Sequence, residues 1–322
     1  MKLVVADVGG THVRYALAEV SSGGPPDVGP TYRYRTREHP DLASTWRHLG
    51  ADVGGPLPDA ASLALAAPFG PSILSFPNSG WTLDTRTIAR DLGLAKCHLL
   101  NDFGAVAHAV PSFGPEDFIP VIGADGPLPE TGAISVIGPG TGLGAAILRR
   151  QHGRDDVVET EAGHAAFAPH DAEEAAIAEQ LRRKWPRLSA ERIVAGPGLD
   201  NVAWAFAALE GQSSDAMDSS ALWAAAIERS DERATRALDV WLLAFASSIG
   251  DIALSHGSRS VVLVGSLVNR IAERLREPTF ADRFRAKGRY RDLMEHIPVK
   301  LLTREDPGLV GAALAFQKAN DL

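Results

Sequence analysis

Ala133-Ile134-Ser135-Val136-Ile137 runs into Gly138-Pro139-Gly140-Thr141-Gly142-Leu143-Gly144 and out through Ala145-Ala146-Ile147-Leu148. Two short apolar runs around a turn of glycines and one threonine read as strand, turn, strand. The N-terminus repeats the design. Leu3 to Ala6 is a buried strand, Asp7-Val8-Gly9-Gly10-Thr11-His12 a tight turn, and Val13 to Ala18 a second strand. Glycines permit positive φ and bring backbone close to a ligand, and N–H groups in such a turn can form an anion nest. One glycine turn is equally a plain hairpin. Two, each between strands and each with a threonine, indicate two domains that each offer a phosphate-binding hairpin to one cleft. No Gly-Lys-Ser/Thr follows, so neither is a Walker P-loop, and no helix opens after either, so neither is a dinucleotide fingerprint. Asp7 and Thr11 add the acidic group and hydroxyl that phosphate sites use toward Mg²⁺.

A second kind of signal is Cys97-His98-Leu99-Leu100-Asn101-Asp102-Phe103. The apolar run ends in two polar residues, and 104–110 reads as a helix. A carboxylate at the C-terminal end of a buried strand, facing a helix start, sits where open α/β sheets place ligands. Asp is also among the best N-caps. Spacing alone leaves Asp102 open between a cap and a functional carboxylate.

Composition bounds the function. The 322 residues suffice for two domains, with 45% hydrophobic and 22% charged residues, as in ordinary globular chains. The net charge of -8 argues against a general nucleic-acid binder but not against a phosphate ligand held by backbone N–H groups. The single cysteine, Cys97, excludes an intramolecular disulfide and a cysteine-rich zinc site, and its apolar run implies a buried, inert thiol. No signal-peptide pattern opens the chain, and no apolar run of the roughly 18–20 residues of a membrane span is evident. The expectation is a cytoplasmic protein.

Along the chain, Ser21 to Pro30 is a surface loop, Tyr32 to Thr36 an edge-like strand, Leu42 to Leu49 a short helix and Ser62 to Ala67 a buried strand. Phe76-Pro77-Asn78-Ser79-Gly80-Trp81 reads either as a loop suited to a sugar or as an ordinary turn with Trp81 packed inward. Leu83 to Leu92 reads as a helix with Asp84 as its cap. Proline- and glycine-rich 111–131 reads as a crossover between domains. Glu161-Ala162-Gly163-His164 pairs a carboxylate with an imidazole three residues apart, which suits hydroxyls better than a metal, since no further ligand is near in sequence. Helices are expected over Glu173 to Trp185, from Ser189 to a break at Gly196-Pro197-Gly198, and over Leu199 to Leu209, Ser220 to Arg229 and Glu232 to His256. Arg259 to Val264 and Val299 to Leu302 read as strands. Gly265-Ser266 follows the first of these, and Pro307 opens the last helix.

In this order the pieces resemble the bacterial glucokinase family, within the hexokinase, Hsp70 and actin group of ATP-binding folds. The resemblance spans almost the whole chain. It rests on Asp7-Val8-Gly9-Gly10-Thr11, Leu100-Asn101-Asp102-Phe103, Gly138 to Gly144, Glu161-Ala162-Gly163-His164 with Phe167-Ala168-Pro169, Ser189-Ala190-Glu191-Arg192 with Gly196-Pro197-Gly198-Leu199, and Pro307-Gly308-Leu309. Two departures stand out: Gly265-Ser266 where the family usually has Gly-Gly, and His12 where an Asn is usual. Relatives with a cysteine-rich zinc motif are excluded by the single cysteine.

The resemblance implies a two-domain actin-like ATPase (ribonuclease H-like) α/β fold with an interdomain cleft. The small domain would hold 1–111 plus 305–322, and the large one 112–304. It implies ATP-dependent phosphorylation of glucose at the 6-hydroxyl, the first step of glycolysis, with Asp102 as catalytic base. Asn78, Asn101, Asp102, Glu161, His164 and Glu191 would hold glucose. Asp7, Gly9, Gly10, Thr11, Gly138, Gly140, Thr141, Gly142 and Gly265 would hold ATP, with Asp7 toward the Mg²⁺ that accompanies it. The family also implies a homodimer. Competing readings are a sugar-sensing protein without turnover, or a kinase of another hexose or with another phosphoryl donor.

Overall fold

The computed structural model describes residues 1–67, 72–76, 79–212 and 217–322. In chain order the strands are β1 (Lys2–Val8), β2 (His12–Glu19), β3 (Asp27–Val28), β4 (Tyr32–Arg35), β5 (Ala60–Leu65), β6 (Ile73–Phe76) and β7 (Trp81–Asp84). Then come β8 (Lys96–Asn101), β9 (Phe118–Ile122), β10 (Thr131–Pro139), β11 (Leu143–Gln151), β12 (Arg154–Thr160), β13 (Ser258–Leu263) and β14 (Val299–Leu302). The chain forms two compact units. One comprises Met1–Gly114, Asp155–Glu159 and Arg304–Leu322, and the other Pro115–Arg154 and Thr160–Thr303.

In the first unit the sheet order is β3-β2-β1-β5-β8, with β4 also on β2. β1 and β2 form an antiparallel hairpin, while β1, β5 and β8 run parallel. The alternating side chains of β1 divide between two cores. Val4, Ala6 and Val8 pack with Leu42, Trp46 and Trp81, and Leu3 and Val5 pack with Leu100, Ala105, Leu309 and Phe316. A parallel strand covered on both faces is apolar throughout, which explains the unbroken Leu3-to-Ala6 run. The helix Leu42–Val53, capped by Asp41 and ended by Gly54 at φ +71, covers one face. Asp102–Ala109 and Pro307–Ala319 lie on the other, touching so closely that a Cβ at Gly311 would land on the carbonyl oxygen of Ala105.

The second sheet has the order β12-β11-β10-β13-β14-β9 and the same plan: a hairpin, β10–β11, then strands parallel to its first arm, β13 and β14. Its core is built around the helix Glu232–His256, capped by Asp231 and ended by Gly257 at φ +62. This helix is long and apolar enough to cross a membrane, contrary to the reading that no such stretch exists. Of its most apolar window 78% is buried, as a core helix requires.

The structure corrects several sequence expectations and decides one that was open. Leu83 lies in β7, paired with Leu74 of β6, so 83–92 is not one helix and only Ile88–Asp91 is helical. Asp84 caps nothing; its carboxylate holds the Arg86 guanidinium and backbone N–H. Trp81 packs inward, with its indole N–H donating to the His39 carbonyl at 3.0 Å. The 111–131 segment contains β9, an antiparallel edge strand on β14, where Pro120 is tolerated because an edge leaves one row of N–H groups unpaired. Cys97 is only half-buried, although desolvation pushes its thiol up to about 11 and so keeps it protonated at neutral pH.

Two predictions follow from the packing of the first unit. Gly311→Ala should lower stability by about 1–3 kcal/mol, the usual cost of overpacking, although Gly→Ala in an open helix stabilises. Thermal unfolding should show a midpoint lower by several degrees. His108 is pushed down to about 4 by desolvation, then by Lys318 and His98, with Asp156 opposing. A group that protonates more readily when unfolded weakens the fold as pH falls from about 6.5 toward 4. His108→Gln should flatten the dependence of the melting temperature on pH in that window.

Candidate active site

Parallel strands put their C-terminal ends on one sheet edge. In the first unit Val8 is level with Leu65, and Leu65 with Asn101. The glycine turn after β1 and the turn after β8 therefore open on the same edge, where α/β sheets bind ligands.

At the first turn, Gly9 donates its N–H to the His12 carbonyl at 3.0 Å. Gly9 does not adopt positive φ; a Cβ there would lie 3.3 Å from the His12 oxygen, so the tight closure of the turn favours glycine. Thr36, fully buried, donates its hydroxyl to the Gly10 carbonyl at 2.8 Å, and its N–H goes to Thr11. This buttress leaves the Thr11 side chain exposed. Asp7 accepts Arg14 Nη1 at 3.0 Å, and Arg14 Nε lies 3.1 Å from Asp306. Desolvation raises the Asp7 carboxyl above its ordinary value, against the pull of Arg14.

Sequence reading missed the positive charge around this turn. His12 is lowered first by desolvation and then by Arg14, Arg33, Arg35 and Arg37. The signal was present in the alternation Arg33-Tyr34-Arg35-Thr36-Arg37, which puts arginines on one face of β4 and its continuation. Four arginines thus crowd this turn, with Arg14 on Asp7 and Asp306, Arg33 on Asp306 and Arg35 on Glu38.

At the second turn the structure resolves the capping question. Asn101 is the N-cap: its Oδ1 accepts the N–H groups of Phe103 at 2.9 Å and Gly104 at 3.0 Å. Asp102 is the first residue of the helix Asp102–Ala109, and its Oδ1 accepts the N–H of Phe103 at 2.8 Å. Asn101 is buried, and its amide oxygen is committed to the cap, so its amide nitrogen is the atom with donors to offer a ligand. Asn78 lies outside the described residues.

The second unit assembles the other set. Gly138 lies within β10, level with Gly144, so the turn proper is only Gly140-Thr141-Gly142. Neither Gly140 nor Gly142 adopts positive φ. The tip is gripped by the 189–198 segment: Gly196 donates its N–H to the Gly140 carbonyl at 2.7 Å. Glu191 Oε2 accepts the N–H of Leu143 at 3.0 Å. A Cβ on Gly142 would strike that carboxylate, and one on Gly163 would strike the Leu143 carbonyl oxygen.

The Glu161–His164 turn is tied to the same segment. Ala190 N–H donates to Ala165 at 2.8 Å, and Phe167 N–H to Leu188 at 3.0 Å. Glu161 Oε2 and His164 Nε2 stand 3.8 Å apart, each side chain just over half exposed. Glu161, His164 and Glu191 are thus brought together beside the glycine hairpin. Among the described residues no group of three or more His, Cys, Asp or Glu is placed to hold a metal ion.

Gly265 ends the β13 exit at φ +120, a conformation side chains avoid, with its Cα side against the Pro139 carbonyl. It begins the helix Ser266–Arg270, and Asn269 Nδ2 donates to its carbonyl at 3.0 Å. Gly265 therefore stands next to the base of the hairpin, on the C-terminal edge of the parallel strands. Both sets offer backbone N–H groups and hydroxyls fit for phosphate, and carboxylates and an imidazole fit for sugar hydroxyls.

Known proteins match this chain over almost its whole length. Residues 4–319 fit the family model described as Glucokinase. A Zymomonas mobilis protein named Glucokinase is 44% identical over 316 residues, covering 98% of each chain. A glucokinase from an Antarctic psychrotroph superposes with a TM-score of 0.80 at 28% identity, over 98% of this chain and 99% of that one. Balamuthia mandrillaris glucokinase, solved in complex with glucose, gives 0.81 at 21% identity over 98% and 93%, a likeness of fold. This chain of mixed α/β sheets belongs to the glucokinase family.

Proposed function

We propose that the protein is a glucokinase that transfers the γ-phosphoryl group of ATP to the 6-hydroxyl of glucose, the first step of glycolysis. The observation that carries the roles of the residues is the division of labour at the β8 exit. Asn101 closes the helix, and the neighbouring carboxylate, Asp102, sits on the sheet edge that also bears the Gly9–Thr11 turn. In this reading the two units are the domains of an actin-like ATPase frame. The enzyme works in the cytoplasm as a homodimer.

The chemistry assigns each residue a task. A sugar hydroxyl is a weak nucleophile, and Asp102 accepts its proton as the oxygen bonds to the γ-phosphorus and the bond to ADP breaks. The transition state is loose, so positioning and charge stabilisation dominate. Glu161, His164, Glu191, Asn78 and the Asn101 amide fix which hydroxyl faces the phosphate. A polar array of this kind rejects analogues lacking a hydroxyl, because its own groups would be left unpaired. Backbone N–H groups of the Gly9-Gly10-Thr11 and Gly140-Thr141-Gly142 turns, the strand-end Gly138, the Thr11 and Thr141 hydroxyls, and Gly265 receive the nucleotide.

The residues present also fit Mg²⁺ carried by ATP. Asp7 is a hard carboxylate beside the first turn with one oxygen on Arg14 and the other without a hydrogen-bond partner among the described residues. Mg²⁺ bound with ATP would neutralise charge building on the phosphates.

Assays of ATP-dependent glucose 6-phosphate formation with Mg²⁺ test the roles. Asp102→Asn should retain glucose binding, read by Trp fluorescence, and lose at least about a thousandfold in kcat, the upper range for a general base. Equal activity in the two proteins would overturn the base. An inactive wild type that still binds glucose would favour a sensor or another donor. Gly142→Ala should raise the KM for glucose and for ATP by about tenfold each, because the methyl group displaces the Glu191 carboxylate and distorts the turn at one stroke.

A further inference from the structure

The turn that carries Asp102 has one more support, from far along the chain. β8 is the outermost strand of its sheet, so N–H groups on its outer side lack a ladder partner. The N–H of Asn101 is met instead by Glu159, whose Oε1 accepts it at 2.8 Å. Gly104 makes room for that carboxylate: a Cβ there would lie 2.6 Å from Glu159 Oε1 and 2.9 Å from its Cγ. Asn101 and Gly104 are the N-cap and third helical residue, and Asp102 lies between them. One carboxylate thus holds both shoulders of the segment that bears the base. Its charge strengthens the hydrogen bond and suits a helix N-terminus.

We propose that Glu159 is a positioning residue for phosphoryl transfer: by accepting the Asn101 N–H and packing on Gly104 it fixes the backbone that aims Asp102 at the sugar hydroxyl. It acts through that backbone and does not touch the substrate. The proposal rests on the reading of Asp102 as base. Misplacement of a reacting group by about 1 Å is enough to cost on the order of a hundredfold in rate.

The experiment compares Glu159→Ala, Glu159→Gln, Gly104→Ala and the Gly104→Ala/Glu159→Ala double variant with wild type. Glu159→Ala should lower kcat by about ten- to a hundredfold while the KM for glucose changes by less than about threefold. Glu159→Gln, which keeps an acceptor oxygen, should recover most of that loss. Gly104→Ala should mimic Glu159→Ala, because its methyl group evicts the carboxylate. The double variant should be no worse than either single one, the signature of one shared interaction. Hydrogen exchange at the Asn101 amide should be faster in Glu159→Ala and in Gly104→Ala. Wild-type kcat in Glu159→Ala, or losses that multiply in the double variant, would overturn the proposal. So would a KM for glucose that rises as much as kcat falls. If wild type phosphorylates no glucose, the kinase reading fails instead, and unchanged amide exchange in Glu159→Ala would still overturn the positioning role.

Discussion

The side chain of Asn101 closes the end of a helix, and much of the candidate chemistry depends on that. A helix N-terminus presents backbone N–H groups that need acceptors. Asn101 Oδ1 takes two of them, from Phe103 and Gly104. The carboxylate one residue later is then held on a defined backbone, at the end of a parallel strand. Because β1, β5 and β8 run parallel, the same edge also carries the Gly9–Thr11 turn. Asp102 and the Gly9–Thr11 turn share an edge as a consequence of strand direction.

Close backbone approach is the second constraint. Four glycines in the second unit are fixed less by dihedral freedom than by what a side chain would strike. Gly142 faces the Glu191 carboxylate, Gly163 the Leu143 carbonyl, Gly196 the Gly140 carbonyl and Gly198 the Ile193 carbonyl. Gly265 alone among the site glycines discussed needs its positive φ. Glu191 consequently does two things: it is a carboxylate suited to a hydroxyl, and it accepts the N–H of Leu143 at the exit of the hairpin. Any displacement of the Glu191 carboxylate is therefore felt at the exit of the hairpin.

Much of this was legible in the amino-acid order. Unbroken apolar runs such as Leu3 to Ala6 mark strands covered on both faces, and both glycine turns join antiparallel strands in the structure. What failed had specific causes. Leu83 to Leu92 carries helical apolar spacing, but Gly80 at φ +72 turns the chain into a hairpin and Leu83 packs as a strand residue. β9 was hidden by its prolines, which an edge strand accepts. The cap reading fell on Asp102, but the fold makes Asn101 the N-cap, with two helix N–H groups on its side chain, and puts Asp102 at the first helical position. The contacts of Arg14 and Glu159 were invisible for another reason. Their partners Asp7, Asp306 and Asn101 lie far along the chain or across a strand pair, and sequence order carries no record of such contacts.

The most direct measurement of the central claim is a crystal structure of the protein with glucose and a non-hydrolysable ATP analogue. The account predicts the 6-hydroxyl within hydrogen-bond distance of the Asp102 carboxylate. Glu161, His164 and Glu191 would hold the remaining hydroxyls, and N–H groups of the glycine turns would hold the phosphates. A sugar bound with its 6-hydroxyl away from Asp102, or a nucleotide held by neither turn, would contradict it.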